Sequence, residues 1–157
     1  KSEYFDESLL RVDLMLQEED PHNQTPHHKS AFSVVAKLNQ GNFNFWGDLS
    51  FSNGYGSQSD VWGVQFMPFY DFTDKLQGVF SYTYVESVLA GGVDVTRYER
   101  DLSGTGDEVQ EYFLGLNYFF YGHKLKWQNA IQFSEMDNLG TKQYEGWGFT
   151  SGIRINW

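Results

Sequence analysis

Hydrophobic and polar residues alternate along this chain with a period of two, the pattern of β-strands with one apolar and one polar face. The stretch 147–157, WGFTSGIRINW, shows it most plainly. Trp147, Phe149, Ser151, Ile153, Ile155 and Trp157 share one face; Gly148, Thr150, Gly152, Arg154 and Asn156 share the other. The same reading predicts about eight strands in an all-β, antiparallel meander. The first runs from about Leu9 to Glu18 and sets Leu10, Val12, Leu14 and Leu16 against Arg11, Asp13, Met15 and Gln17. The second carries Phe32, Val34, Ala36 and Leu38, and the third Phe43, Phe45, Gly47, Leu49 and Phe51. The fourth carries Trp62, Val64, Phe66, Pro68 and Tyr70, with Pro68 expected near the strand end, where a missing N–H is tolerated. The fifth carries Leu76, Gly78, Phe80, Tyr82 and Tyr84, and the sixth Tyr112, Leu114, Leu116, Tyr118 and Phe120. The seventh places Leu125, Trp127, Ile131 and Phe133 opposite Lys124, Lys126, Gln128 and Gln132, with Asn129 interrupting its apolar row. Most of these segments approach the ~9–11 residues that cross a bilayer at a tilt. No helical period competes.

Connections alternate in length. Residues 19–29, 53–60, 87–108 and 135–143 read as long loops, and the turns at Gly41, Thr73 and Gly122 as short ones. Bacterial outer-membrane barrels have short periplasmic turns and longer external loops. This parity puts the short turns on the periplasmic side. Aromatics gather where interfacial girdles belong: Trp62, Tyr84, Tyr112 and Trp147 at the outer rim, Tyr118, Phe120 and Trp157 at the inner.

Alternation alone leaves two orientations open. A soluble barrel of the lipocalin kind turns its apolar face inward. An eight-stranded interior barely holds its own side chains, and about four or five bulky apolar residues per strand would overfill it. The apolar rows are therefore expected to meet lipid.

Composition narrows the classes further. A net charge of −10 argues against a nucleic-acid partner. The absence of cysteine removes disulfides and thiolate metal sites. No apolar run approaches the ~18 residues of a transmembrane helix, and a negative mean hydropathy does not count against alternating strands. The aromatic content of 18% and the 16 glycines suit a barrel. The sequence starts at Lys1 without a signal peptide, so the chain is expected to be processed or a fragment.

Four stretches resemble a known family. DVWGVQFMPFYDFTDKLQGVFSYTY, RYERDLSGTGDEVQEYFLGLNYFFYGHKLKWQ, FSEMDN and YEGWGFTSGIRINW, spanning most of residues 60–157, are similar to the phosphate-selective porins O and P; GNFNFWGDLSFSNGYG is a weaker match before residue 60. The resemblance implies that residues 1–157 form the C-terminal half of a sixteen-stranded transmembrane β-barrel. It implies a homotrimeric, water-filled channel of the bacterial outer membrane for passive diffusion of small solutes, anions such as phosphate among them. Its partners would be the lipid bilayer, an N-terminal barrel half in the same or a separate chain, and the barrel-assembly machinery. The last strand resembles that machinery's C-terminal signal, with Phe149, Ile153, Ile155 and Trp157 as its apolar positions. Family members often carry Arg where this chain has Ser81. The alternative is a self-contained eight-stranded barrel acting as an anchor or adhesin.

The residues expected to line the ion path are Arg11, Asp13, Lys37, Asp48, Glu111, Lys124, Lys126 and Arg154, a set of mixed sign. Their plainer role is to pair with one another and hold the barrel's shape. His22, His27 and His28 fall in one polar loop without the spacing or supporting groups of a zinc site. Arg97 and Arg100 sit among Glu99 and Asp101, where pairing or solvation is the ordinary outcome. No motif sets a nucleophile beside His123, so neither an enzyme nor a cofactor is expected.

Overall fold

A computed structural model of the chain describes residues 6–17, 27–94 and 104–156. The strands are β1 Glu7–Leu16, β2 His27–Gln40, β3 Phe43–Tyr55, β4 Val61–Thr73, β5 Leu76–Ser87, β6 Val93–Asp94, β7 Thr105–Gly106, β8 Glu108–Tyr121, β9 Leu125–Asn138 and β10 Thr141–Ile155. Eight of them form one antiparallel meander in the order β1-β2-β3-β4-β5-β8-β9-β10, while β6 and β7 form a separate two-stranded ribbon. Among the described residues β1 and β10 each pair on one side only, so the sheet is open.

Directly paired residues share a face, so the register extends the alternation across the whole sheet. One rung runs Leu10, Ala36, Gly47, Phe66, Tyr82, Tyr112, Phe133 and Trp147. The neighbouring rung, on the opposite face, runs Arg11, Val35, Asp48, Gln65, Thr83, Glu111, Ser134 and Gly146. Burial follows the same alternation, in the opposite sense to a soluble domain. On β8, Tyr112, Leu114, Leu116, Tyr118 and Phe120 are exposed, while Gly115, Asn117 and Phe119 between them are buried. Ser81 on β5 and Ser134 and Met136 on β9 are also buried on this second face. The sheet therefore curls with its apolar rows on the convex side and its polar rows on the concave side.

The strands outrun the alternation that predicts them. β2 begins at His27, inside the stretch expected to be loop, and β9 and β10 absorb most of 135–143. What remains between β9 and β10 is a two-residue turn, Leu139 (φ 51°) and Gly140 (φ 70°). Both residues are left-handed, as a tight primed hairpin turn requires. The long-short parity of the connections thus fails at its last step. The hairpin projects as strand instead of loop, and Asp107 accepts a hydrogen bond from the Leu139 amide at 2.9 Å. Pro68 lies well inside β4, not at its end. It pairs with Phe45 on the β3 side, and the β4–β5 register skips from Phe66 to Phe69, as expected where a ladder N–H is missing.

The described ends of the connection between β5 and β8, 88–94 and 104–107, do not simply project from the sheet. Ser59, 2% exposed, accepts a hydrogen bond from the Leu89 amide at 3.0 Å, and the Gly91 amide donates to Asn138 at 2.9 Å. A Cβ at Gly106 would stand 2.5 Å from both the Asp137 carbonyl and Met136, so this backbone lies flush on the upper end of β9.

Candidate functional site: the concave wall

The concave face carries a trough of about 880 Å³ over β3, β4, β5, β8, β9 and β10. Its chemistry is layered along the strands. On the rung just outside that of Tyr112, Gln65 donates to Thr83 at 3.5 Å and Ser134 to Glu111 at 3.2 Å. Toward the short turns comes an apolar layer built on Trp46, Met67, Phe69, Val79 and Phe113. Trp46 and Phe69 meet edge to face with centroids 5.4 Å apart.

Below that layer three amides form a row. Gln128 donates to Asn117 at 2.9 Å, Asn117 to Gln77 at 2.9 Å, and Gln77 to the Asp71 carboxylate at 2.8 Å. The lowest layer is cationic: Lys126 stands directly opposite Arg154 and opposite Phe119.

The expected ion-path residues fall on this wall with one exception. Arg11 is bound to Asp13 at 2.7 Å on the exposed first strand, which is the plainer, shape-holding role. Asp48 accepts from Ser50. The Lys37 ammonium lies 4.2 Å from the centre of the Trp46 ring, a cation–π contact. Lys126 lies 5.9 Å from the Phe119 ring, and Arg154 donates to Asn156 at 3.3 Å. Neither Lys126 nor Arg154 has a carboxylate at salt-bridge distance among the described residues. Lys124 is the correction: it lies in the turn before β9, its amide bonded to the Tyr121 carbonyl, and not on the strand wall. Arg97, Arg100, His22 and Trp157 lie outside the described residues.

The expected girdle residues that are described, Trp62, Tyr84, Tyr112, Tyr118, Phe120 and Trp147, are all on the convex face. Trp62, Tyr84 and Tyr112 occupy successive rungs on that face, and Trp147 shares the rung of Tyr112. The line therefore drops by four residues over the four steps from β4 to β10, a slope that strands tilted across a flat boundary would show. At its upper end the Trp62 indole and the Tyr84 hydroxyl both donate to Glu86, at 3.1 and 2.9 Å. Aromatic rings with a wet polar tip are what an interface favours. Phe149, Ile153 and Ile155 of the last strand are exposed on the same face.

Asn129, the one polar residue in the β9 apolar row, is also accounted for. The Trp127 indole donates to Ser151 at 3.0 Å, and Ser151 donates to Asn129 at 2.8 Å. The indole N–H, the Ser151 hydroxyl and the Asn129 carbonyl oxygen are thus paired among themselves.

The alternation does not reveal the apolar layer of the wall. Its signal is present as apolar residues at polar-row positions on β3, β4 and β8, Trp46, Met67 and Phe113, but only the register aligns them. Comparison with protein-family models, with curated proteins and with solved structures found no match.

Proposed function

We propose that the chain is half of a water-filled outer-membrane porin, with the convex face in lipid and the concave wall lining the pore. The observation that carries this is the inverted burial of β8, with apolar residues exposed and the residues between them enclosed. An apolar surface of this extent marks an interaction with lipid or protein. Its dimensions suit lipid. Tyr112 to Phe120 spans roughly 27 Å of strand at about 3.4 Å per residue. A tilt near 40° brings that to about 21 Å, with aromatic rings adding to both ends, against a hydrocarbon-facing band of about 25 Å.

The open edges of β1 and β10 bear on the rest of the barrel. Lipid does not tolerate unpaired strand edges. Strands from a further segment, in the same or another chain, would pair with both edges and close the sixteen-stranded barrel that the resemblance to the porin O and P family implies. A self-contained eight-stranded anchor would need β1 paired to β10, a contact absent from the described strands. Trimeric assembly and an anion preference belong to the same resemblance.

Single-channel recording on the purified protein, with its intact mass measured alongside, tests the proposal. Stepwise conductance in KCl is the expected result. A monomeric closed barrel without conductance would overturn it.

A further inference from the structure

We infer that the lower concave wall selects amphipathic monoanions, small carboxylates carrying an apolar tail, because the Phe113 ring, which lies over Gly115, stands across the amide row from the uncompensated pair Lys126 and Arg154. This deepens the channel reading and rests on it. Two cations held directly opposite each other on neighbouring strands repel. Among the described residues no carboxylate offsets them. A bound anion would.

The apolar layer decides which anion. A fully hydrated inorganic ion gains nothing there and loses part of its hydration. An apolar tail does the reverse, trading water for aromatic surface. A neutral solute would leave the repulsion between the two cations unanswered. The spacing fits one molecule. From the rung of Gly115 to the rung of Phe119 and Lys126 is four residues, roughly 13 Å, and the lysine stem shortens the reach. The amide row lies between, its hydrogen bonds directed along the row toward Asp71. That carboxylate sits three strand spacings from Gln128, about 14 Å away, so its repulsion is weakest at the β9–β10 end. The trough, at about 880 Å³, is within the range of small-molecule sites.

The test uses the protein in planar bilayers, with 4-phenylbutyrate as the probe and acetate and 4-phenylbutanol as comparators. Each current is normalised to that channel's own KCl conductance. Phenylbutyrate is expected to interrupt the current at concentrations at least about tenfold below either comparator. Lys126→Gln with Arg154→Gln, and separately Phe113→Ser, should each raise its blocking concentration about tenfold. Equal block by acetate would mean a plain anion path, and equal block by the alcohol a plain greasy surface; either overturns the inference, as does block unchanged in both variants. Absence of KCl conductance would instead sink the channel reading. Saturation-transfer NMR of phenylbutyrate on the protein in lipid nanodiscs then decides the site alone: a signal lost in the Lys126/Arg154 variant supports it, and no signal overturns it.

Discussion

Replacing Leu114 by arginine separates a lipid-facing convex surface from a water-facing one. Leu114 is 55% exposed and lies in the apolar row of β8, one rung inside Tyr112. Its rung neighbours Phe80 and Ile131 are exposed as well, at 37% and 45%. In water, a charge at so open a position changes stability by no more than about 0.5 kcal/mol. The same change costs about 2–4 kcal/mol at the midplane of a bilayer, and one rung from the midpoint of the row the lower end of that range is expected, or roughly 30-fold in the folding equilibrium. The measurement is equilibrium unfolding in denaturant from lipid vesicles, comparing Leu114→Arg with Glu145→Arg. Glu145 is exposed on the same face, one rung above Trp147 and so above the aromatic line, where depth dependence reduces the cost to about 0–1 kcal/mol. Two variants that differ by less than about 0.5 kcal/mol would refute the assignment of this face to lipid.

Three further outcomes follow from single contacts. Ser151→Ala removes the hydroxyl that links Trp127 to Asn129 and should cost about 1 kcal/mol in vesicles, whereas in a wet setting water would replace the bond and the loss would vanish. Leu139→Asn should stabilise the β9–β10 turn by up to about 1 kcal/mol, since asparagine tolerates the left-handed backbone that leucine occupies there; a neutral or destabilising result in thermal unfolding would count against that turn. Lys142 lies at the start of β10, beyond the apolar row, and its hydrogen bonds to Glu135 and Asp137 hold its pKa above the ordinary 10.5. A lysine pKa raised on folding stabilises fully below 10.5 and loses its contribution as pH climbs through the raised value. The stability gap between wild type and Lys142→Met should therefore be flat from neutral pH to about 10 and shrink above it, and a gap that instead grows with alkali would contradict the pairing.

The apolar rows are legible in the sequence because one face of the sheet is apolar on every long strand, and that imposes a period of two. That is why Leu10, Phe66, Leu114 and Phe149 can be assigned to one side before any coordinates. The same logic explains where legibility stops. Glu135 to Asn138 and Thr141 to Glu145 are strand, but they extend above the aromatic line, where Glu135, Asp137 and Glu145 stand in place of the apolar row and end its signal. A turn signal was also hidden, since Leu139 stands where asparagine or glycine would announce a primed hairpin. Of the wall residues, Arg11 and Asp13 could be read as partners from their spacing on one strand. The amide row of Gln77, Asn117 and Gln128 could not, because its members lie on three strands and meet only through the register. Strand registers are set by turns and bulges, such as the shift between Asp71 and Thr73, which composition does not announce.

The most direct test of the central claim reads solvent residue by residue along β8. The chain has no cysteine, so single cysteines placed in turn from Tyr112 to Phe120 accept a spin label cleanly. In lipid bilayers, collision with oxygen should peak at 112, 114, 116, 118 and 120. Collision with a water-soluble nickel chelate should be greatest at the positions between them. The opposite phase, or no alternation in either reagent, would contradict an apolar face in lipid around a polar wall in water.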